Sequence, residues 1–266
     1  MKMTTLSAAQ IKYLEKRKRT KRRIRIGRWS ICLLFFLFWE VAARCGIIDS
    51  FIFSCPSKIA ACLVSYAGDG SLFYHTSVTF LETVGSFFCV LFISLLFTVL
   101  LWCSKPLSAT LEPYLIILNS LPKSALAPLL IVWLGTGYLT ILVTGMSVAI
   151  FGSILTLYQG FMQCDEDKMR LIASFGGTKR DILFRVVLPY NLPLILSTMK
   201  VNIGLCLVGV IIGEFIASRS GLGYLIIYSS QIFRLDVVIM SILLLCVMAV
   251  CMYKILDLLT KKLSYS

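Results

Sequence analysis

Ser124–Cys164 reads "SALAPLLIVWLGTGYLTILVTGMSVAIFGSILTLYQGFMQC" and holds no charged side chain. As a single helix, at about 1.5 Å per residue, it would be roughly 60 Å long, twice the hydrocarbon thickness of a bilayer. The run therefore folds back on itself as a hairpin. Gly135-Thr136-Gly137 supplies the turn, because two glycines close together lift the steric bar on positive φ and interrupt the helix. The whole chain has the same character. Of its 266 residues 58% are hydrophobic and 15% charged, with a mean hydropathy of +0.89, a composition that leaves no material for a separate water-facing core.

The remaining apolar runs are read as spans. Trp29–Ile48 is apolar apart from Glu40 and Arg44, four residues apart with the acid first and so able to pair on one helix face. Thr83–Ser104 and Val237–Tyr253 carry no charge, and Asn191–Gly213 carries a single Lys. With the two arms of the hairpin these make six. The expected fold is all-α: a polytopic membrane protein with residues 1–28 as a basic N-terminus and residues 29–266 as one transmembrane domain.

Lys and Arg set the expected orientation. They crowd the first 28 residues, the loop after the fourth span (Lys168, Arg170, Lys179, Arg180, Arg185) and the C-terminus (Lys254, Lys261, Lys262). With six spans these places share one side, which the positive-inside rule assigns to the cytoplasm of a multi-pass protein of the cell membrane. Much of the net charge of +13 is accounted for in this way. Next to a first span, the basic N-terminus reads as a topology signal touching anionic lipid, not as a nucleic-acid site. The spans that follow favour an uncleaved first helix over a signal peptide. The ten cysteines fall mostly inside spans and form no CxxC pattern, so neither metal nor redox chemistry is indicated. A pairing of Cys45 with Cys55 is left open.

The polar stretch Ser174–Pro189, "SFGGTKRDILFRVVLP", interrupts the apolar pattern. Asp165 is placed as an N-cap, with Glu166 and Asp167 in the first turn. Met169, Ile172 and Phe175 fall near one face, and Gly176-Gly177 suits a left-handed stop. Thr178-x-x-Asp181 fits a capping box, followed by an apolar stripe of Ile182, Leu183, Val186 and Val187. Pro189 and Pro193 mark the entry to the fifth span. Residues 165–190 are thus expected to form two short helices at an angle.

At these residues the chain resembles the inner-membrane permeases of ABC importers. Their cytoplasmic signature runs E-A-A, three residues, G, nine residues, I, one residue, L-P. Gly176, Val186, Leu188 and Pro189 stand in that spacing, while Arg170, Leu171 and Ile172 occupy the E-A-A positions. "CPSKIAACL", "SLPKSALAPLLIVWLGTG" and "GVIIGEFIASRSGLGYLI" are similar in order to segments of the nitrate/sulfonate/taurine branch, which also includes importers of pyrimidine precursors of thiamine. Where many sulfonate-type members have an Arg in the second span, this chain has Glu82.

The resemblance implies a type I importer permease, with two permease subunits forming a pore, a cytoplasmic ATPase dimer beneath and an external binding protein above. Homodimerisation is expected, with a distinct second permease as the alternative. Arg170, Leu171, Ile172, Phe175, Gly176, Gly177, Val186, Leu188 and Pro189 would form the loop that couples to the ATPase. No GxxxxGK[ST] phosphate loop is present, so ATP would be bound by the partner and this chain needs no cofactor and is not itself an enzyme.

Asn202 and Glu214 are candidates for the translocation path. Glu214 is equally read as an acid at the outer interface, Lys200 as a cation snorkelling to the cytoplasmic interface, and Gly209-x-x-x-Gly213 as helix packing. Trp133, Tyr224 and Tyr228 read as interfacial anchors, and His75 as isolated in an external loop. An ion-coupled secondary transporter is the alternative class. It is disfavoured because Glu40, Glu82 and Glu214 lie near span ends instead of in a buried relay. An intramembrane enzyme is disfavoured by the absence of HExxH and GxSxG.

Overall fold

A computed structural model describes residues 8–264, as helices and short connections with no strand among them. The chain divides into two compact units, Met1–Cys62 and Leu63–Ser266. The described part of the first is built on one helix, α1 (Ala8–Arg44), so the basic residues and the first span run through a continuous helix. The expected Glu40–Arg44 pair is present at 2.7 Å, and Glu40 also accepts the Ser57 N–H at 3.1 Å near the start of α2 (Pro56–Gly68). Cys45 and Cys55 are both free thiols, so the open pairing does not occur.

In the second unit α3 (Ser71–Cys103), α6 (Tyr138–Met162) and α9 (Leu188–Ala217) pack against one another, and α11 (Leu235–Ser264) closes the group. Ser86 of α3 donates to the Leu142 carbonyl of α6, and further along Leu101 shares a cluster with Ile154 and Tyr158. The two helices therefore run in the same direction. Whatever joins them must carry the chain back across the layer. That connection is a broken span: α4 (Lys105–Ser120) and α5 (Lys123–Leu134) meet at a 99° bend.

Among the described residues five helices are long and apolar enough to cross a membrane alone, and the bent pair raises the number to six. The expected third span, starting at Ser124, is corrected: α5 is too short to cross, and the passage starts at Lys105. Pro122 causes the break, since the residue before a proline is pushed out of the helical region and Leu121 has ψ 139°. The Lys123 ammonium then donates to the freed carbonyls of Leu118 and Asn119 at the end of α4. The hairpin turn lies where expected, with φ +79° at Gly135 and +137° at Gly137.

α6 and α9 are antiparallel, and small residues let their backbones touch. A Cβ on Gly209 would lie 2.8 Å from the Gly145 Cα and 2.9 Å from the Thr144 carbonyl, and one on Gly213 would lie 3.0 Å from the Ile141 Cα. Bilayer lipid gives no hydrophobic drive between helices, so such close approach supplies the association energy through dispersion contacts. Lower down, Ser153 donates to the Asn202 side chain at 2.8 Å, joining the same two helices. Lys200 pairs with Asp257 of α11 at 2.6 Å, and Asp257 also holds Lys261 at 2.7 Å.

Candidate functional site

The loop between α6 and α9 is built as its sequence requires, with one difference at its exit. Asp165 caps α7 (Glu166–Ser174) by accepting the Asp167 N–H at 3.0 Å. The helix ends in a Schellman turn: Gly176 donates to the Ala173 carbonyl and Gly177 to that of Ile172, each at 3.0 Å. The two glycines serve different needs. Gly176 has φ +80° with open space around an added Cβ, so it is required for conformation. Gly177 has no such φ, but a Cβ there would meet the Ile172 carbonyl at 2.8 Å. Thr178 and Asp181 then form the expected capping box and start α8 (Lys179–Ile182).

The second loop helix is not a separate element, contrary to expectation. α8 continues through a π-helical turn, Leu183–Val187, into α9, so one rod runs from the loop across the membrane. The Leu188 N–H donates to the Leu183 carbonyl, five residues back. Pro189 lacks an N–H and would clash with the carbonyl one turn earlier; the widened turn beside it lets the helix continue. Leu183 and Val187 are buried with Phe161 and Cys164, with Met169, Ile182, Val186 and Leu188 packed around them.

Phe175 does not share the inward face of Met169. It is the C-cap residue, the Schellman turn directs it outward, and it is 82% exposed. Leu171 and Phe184 are also exposed, and Arg170 lies in water paired with Glu166. The loop thus exposes Leu171, Phe175 and Phe184 on a basic segment, with Phe184 on the continuous helix that runs to the centre of the bundle. Phe184 was missed because the stripe reading gave it no role. The two phenylalanines lie on either side of the glycine turn, and that spacing was the available signal.

The other end of the bundle is organised around Glu214. Its carboxylate accepts from the Thr79 hydroxyl at 2.7 Å and from the Gly223 N–H in the first turn of α10 (Leu222–Gln231). Thr79 in turn accepts the Leu222 N–H at 2.8 Å, and the His75 Nδ1 accepts the Gly221 N–H at 3.0 Å. A negative side chain at a helix N-terminus satisfies donors that have no intrahelical partner and complements the dipole. Glu214 is 1% exposed, enclosed between α3 and the start of α10. His75 is not isolated: it lies near the start of α3 and stacks on Tyr224, which stacks on Tyr228. Asn202, the other candidate for the path, is buried and engaged by Ser153.

Comparison with known proteins agrees with this architecture. Residues 91–265 match the family described as the binding-protein-dependent transport system inner membrane component. A probable ABC transporter permease protein of Haemophilus influenzae is 28% identical over 88% of this chain and 94% of its own length. The taurine transport system permease protein of Escherichia coli is 22% identical over 86% of this chain and 84% of its own length. Among solved structures, the MetNI methionine ABC transporter in an inward-facing conformation superposes with a TM-score of 0.63 at 19% identity, covering 71% of this chain and 94% of the matched one. With its helical membrane core and the family match over most of its length, this chain belongs to the inner-membrane permeases of binding-protein-dependent ABC transporters.

Proposed function

We propose that the chain forms half of the pore of an ATP-driven importer and that residues 165–190 seat a cytoplasmic ATPase dimer. The observation that carries this is the continuous helix from Lys179 to Ala217: a push on the exposed Phe184 reaches the bundle centre along one helix, so an ATPase that closes on ATP moves α9 as a rigid body. Arg170, Ile172, Gly176, Gly177, Val186, Leu188 and Pro189 shape that seat; Leu171 and Phe175 contact the partner. On this reading the loop, the inner ends of α3 and α6 and the C-terminus face the cytoplasm, which is where Lys168, Lys179, Arg180, Arg185, Lys254 and Lys261 gather. The opposite end, with α10, receives solute from an external binding protein, and a second copy of the chain completes the pore.

The cargo we propose is a small polar solute of the nitrate, sulfonate or taurine type. Similarity to the taurine permease supports this class, and a thiamine pyrimidine precursor carried by the same machinery is the second reading. The test of the loop is Gly176→Val. The variant should insert and melt as the parent does while losing ATPase copurification and substrate-stimulated hydrolysis, because a β-branched residue is strongly disfavoured at that φ. Phe175→Ala should weaken the attachment by about 2 kcal/mol, through loss of one buried apolar side chain. Wild-type ATPase binding and transport by Gly176→Val would overturn the assignment.

A further inference from the structure

The end of the bundle that carries the 165–190 loop also holds a cavity of about 770 Å³, walled by the corner where α3 ends and α4 begins and by residues of α7 and α8. Its volume is that of a small-molecule site. Leu101, Trp102, Phe161 and Met162 make much of the lining apolar. Lys105 and Lys179 add two cations, both exposed and neither ion-paired with a described residue, whereas Arg170 is held by Glu166 at 2.9 Å. Two exposed lysines alone are a solvated face. Tyr158 makes the difference: it lines the same cavity, it is only 8% exposed, and its hydroxyl makes no hydrogen bond to any described residue. Unlike the sealed Thr98 Oγ1, that hydroxyl is not closed off. A phenol so placed ordinarily has a partner. The start of α4 is open as well. Its N-cap Ser104 makes no side-chain cap, and the uncapped end of a 16-residue helix favours an anion.

We propose that this cavity holds the headgroup of an anionic phospholipid, whose phosphate accepts from the Tyr158 hydroxyl and pairs with Lys105 and Lys179 while the first methylenes of an acyl chain lie on Leu101, Trp102 and Met162. The site goes beyond the importer reading and takes from it only the placement of this end at the cytoplasmic face. The level in the membrane fits. α3 carries no charge from Thr83 to its end, and Lys105 is the first charge that follows, so the cavity lies where hydrocarbon gives way to headgroups. A free phosphate would satisfy the polar groups and leave the apolar wall wet. A zwitterionic lipid would bring an ammonium toward two lysines that repel it. An anionic lipid matches both the charge and the apolar wall.

The test takes the assembled transporter with its ATPase, delipidated in detergent and titrated with phosphatidylglycerol, phosphatidylcholine or inorganic phosphate, with bound molecules counted by native mass spectrometry. Phosphatidylglycerol should bind about tenfold more tightly than phosphatidylcholine, and millimolar phosphate should not displace it. The double variant Lys105→Gln, Lys179→Gln should weaken it by about thirtyfold, the two charges acting together. Tyr158→Phe should weaken it severalfold and melt as the parent does, since the ring keeps its place among Leu101, Leu115 and Ile154. Lys254→Gln, at an exposed lysine of α11 outside the cavity, should change nothing. Equal binding of phosphatidylcholine, displacement by phosphate, or full affinity in the double variant would overturn the site. So would phosphatidylglycerol that binds only once the ATPase is stripped away, because the ATPase would then be what covers the cavity. Failure of the ATPase to copurify would defeat the importer reading instead, and the same titration of the permease alone would still decide the lipid site.

Discussion

At the scale of single residues, the α10 end of the bundle depends on side chains that satisfy backbone donors across long separations. Thr79 and Glu214 are 135 residues apart, and between them they receive the N–H groups of Leu222 and Gly223. Gly221 has φ +102°, and an added Cβ would fall on the Glu214 carboxyl, so the turn into α10 closes only with glycine there. Thr79→Val should therefore leave one donor of α10 unmet and remove a donor from Glu214, at a cost of about 1–3 kcal/mol for each group stranded in the interior. Thermal unfolding in nanodiscs reads this, and an unchanged melting temperature would show that water replaces the hydroxyl. Val is nearly isosteric with Thr, so packing is held constant in the comparison.

At the scale of elements, the α6–α9 contact predicts opposite outcomes for two glycines on one helix. Gly209→Ala places a methyl against the Gly145 Cα and the Thr144 carbonyl, where only backbone movement can relieve it, and should destabilise by about 1–3 kcal/mol. At Gly204 an added Cβ meets nothing within 4 Å, and Gly204→Ala should be neutral or stabilise by up to about 1 kcal/mol through helix propensity. Equal effects, measured as changes in unfolding midpoint, would remove the glycine contact from the account. The hairpin, the capping box and the glycine stop were legible in the sequence because each rests on local chemistry: charge-free length, Thr178 with Asp181, and positive φ at Gly176. The bent α4–α5 passage was not. Lys105, Glu112 and Lys123 dilute its apolar run, and Pro122 reads as an end, not as a bend within one crossing. Nor was the continuity of α8 with α9, because Pro189 signals a helix start and only the π-turn lets the helix pass it. Partnerships such as Lys200 with Asp257 depend on which helices become neighbours, and periodicity along one helix carries no information on that.

At the scale of the whole molecule, the packing decides where a polar solute can pass. α3, α6 and α9 meet at Ser86, Gly145, Gly209 and Val210 with side chains and backbone already in contact, and the buried Ser153 and Asn202 satisfy each other below. A solute cannot follow the axis of that bundle without unpacking it. On the proposed reading the passage runs along a face that this chain presents to another, with a second copy related by a two-fold axis as the simplest partner. The purified complex should accordingly contain two permease chains, and native mass measurement in nanodiscs should find that number with two ATPases. If a complex with a single copy and no other membrane chain transports solute, the path lies within one subunit and the packed core must open to form it.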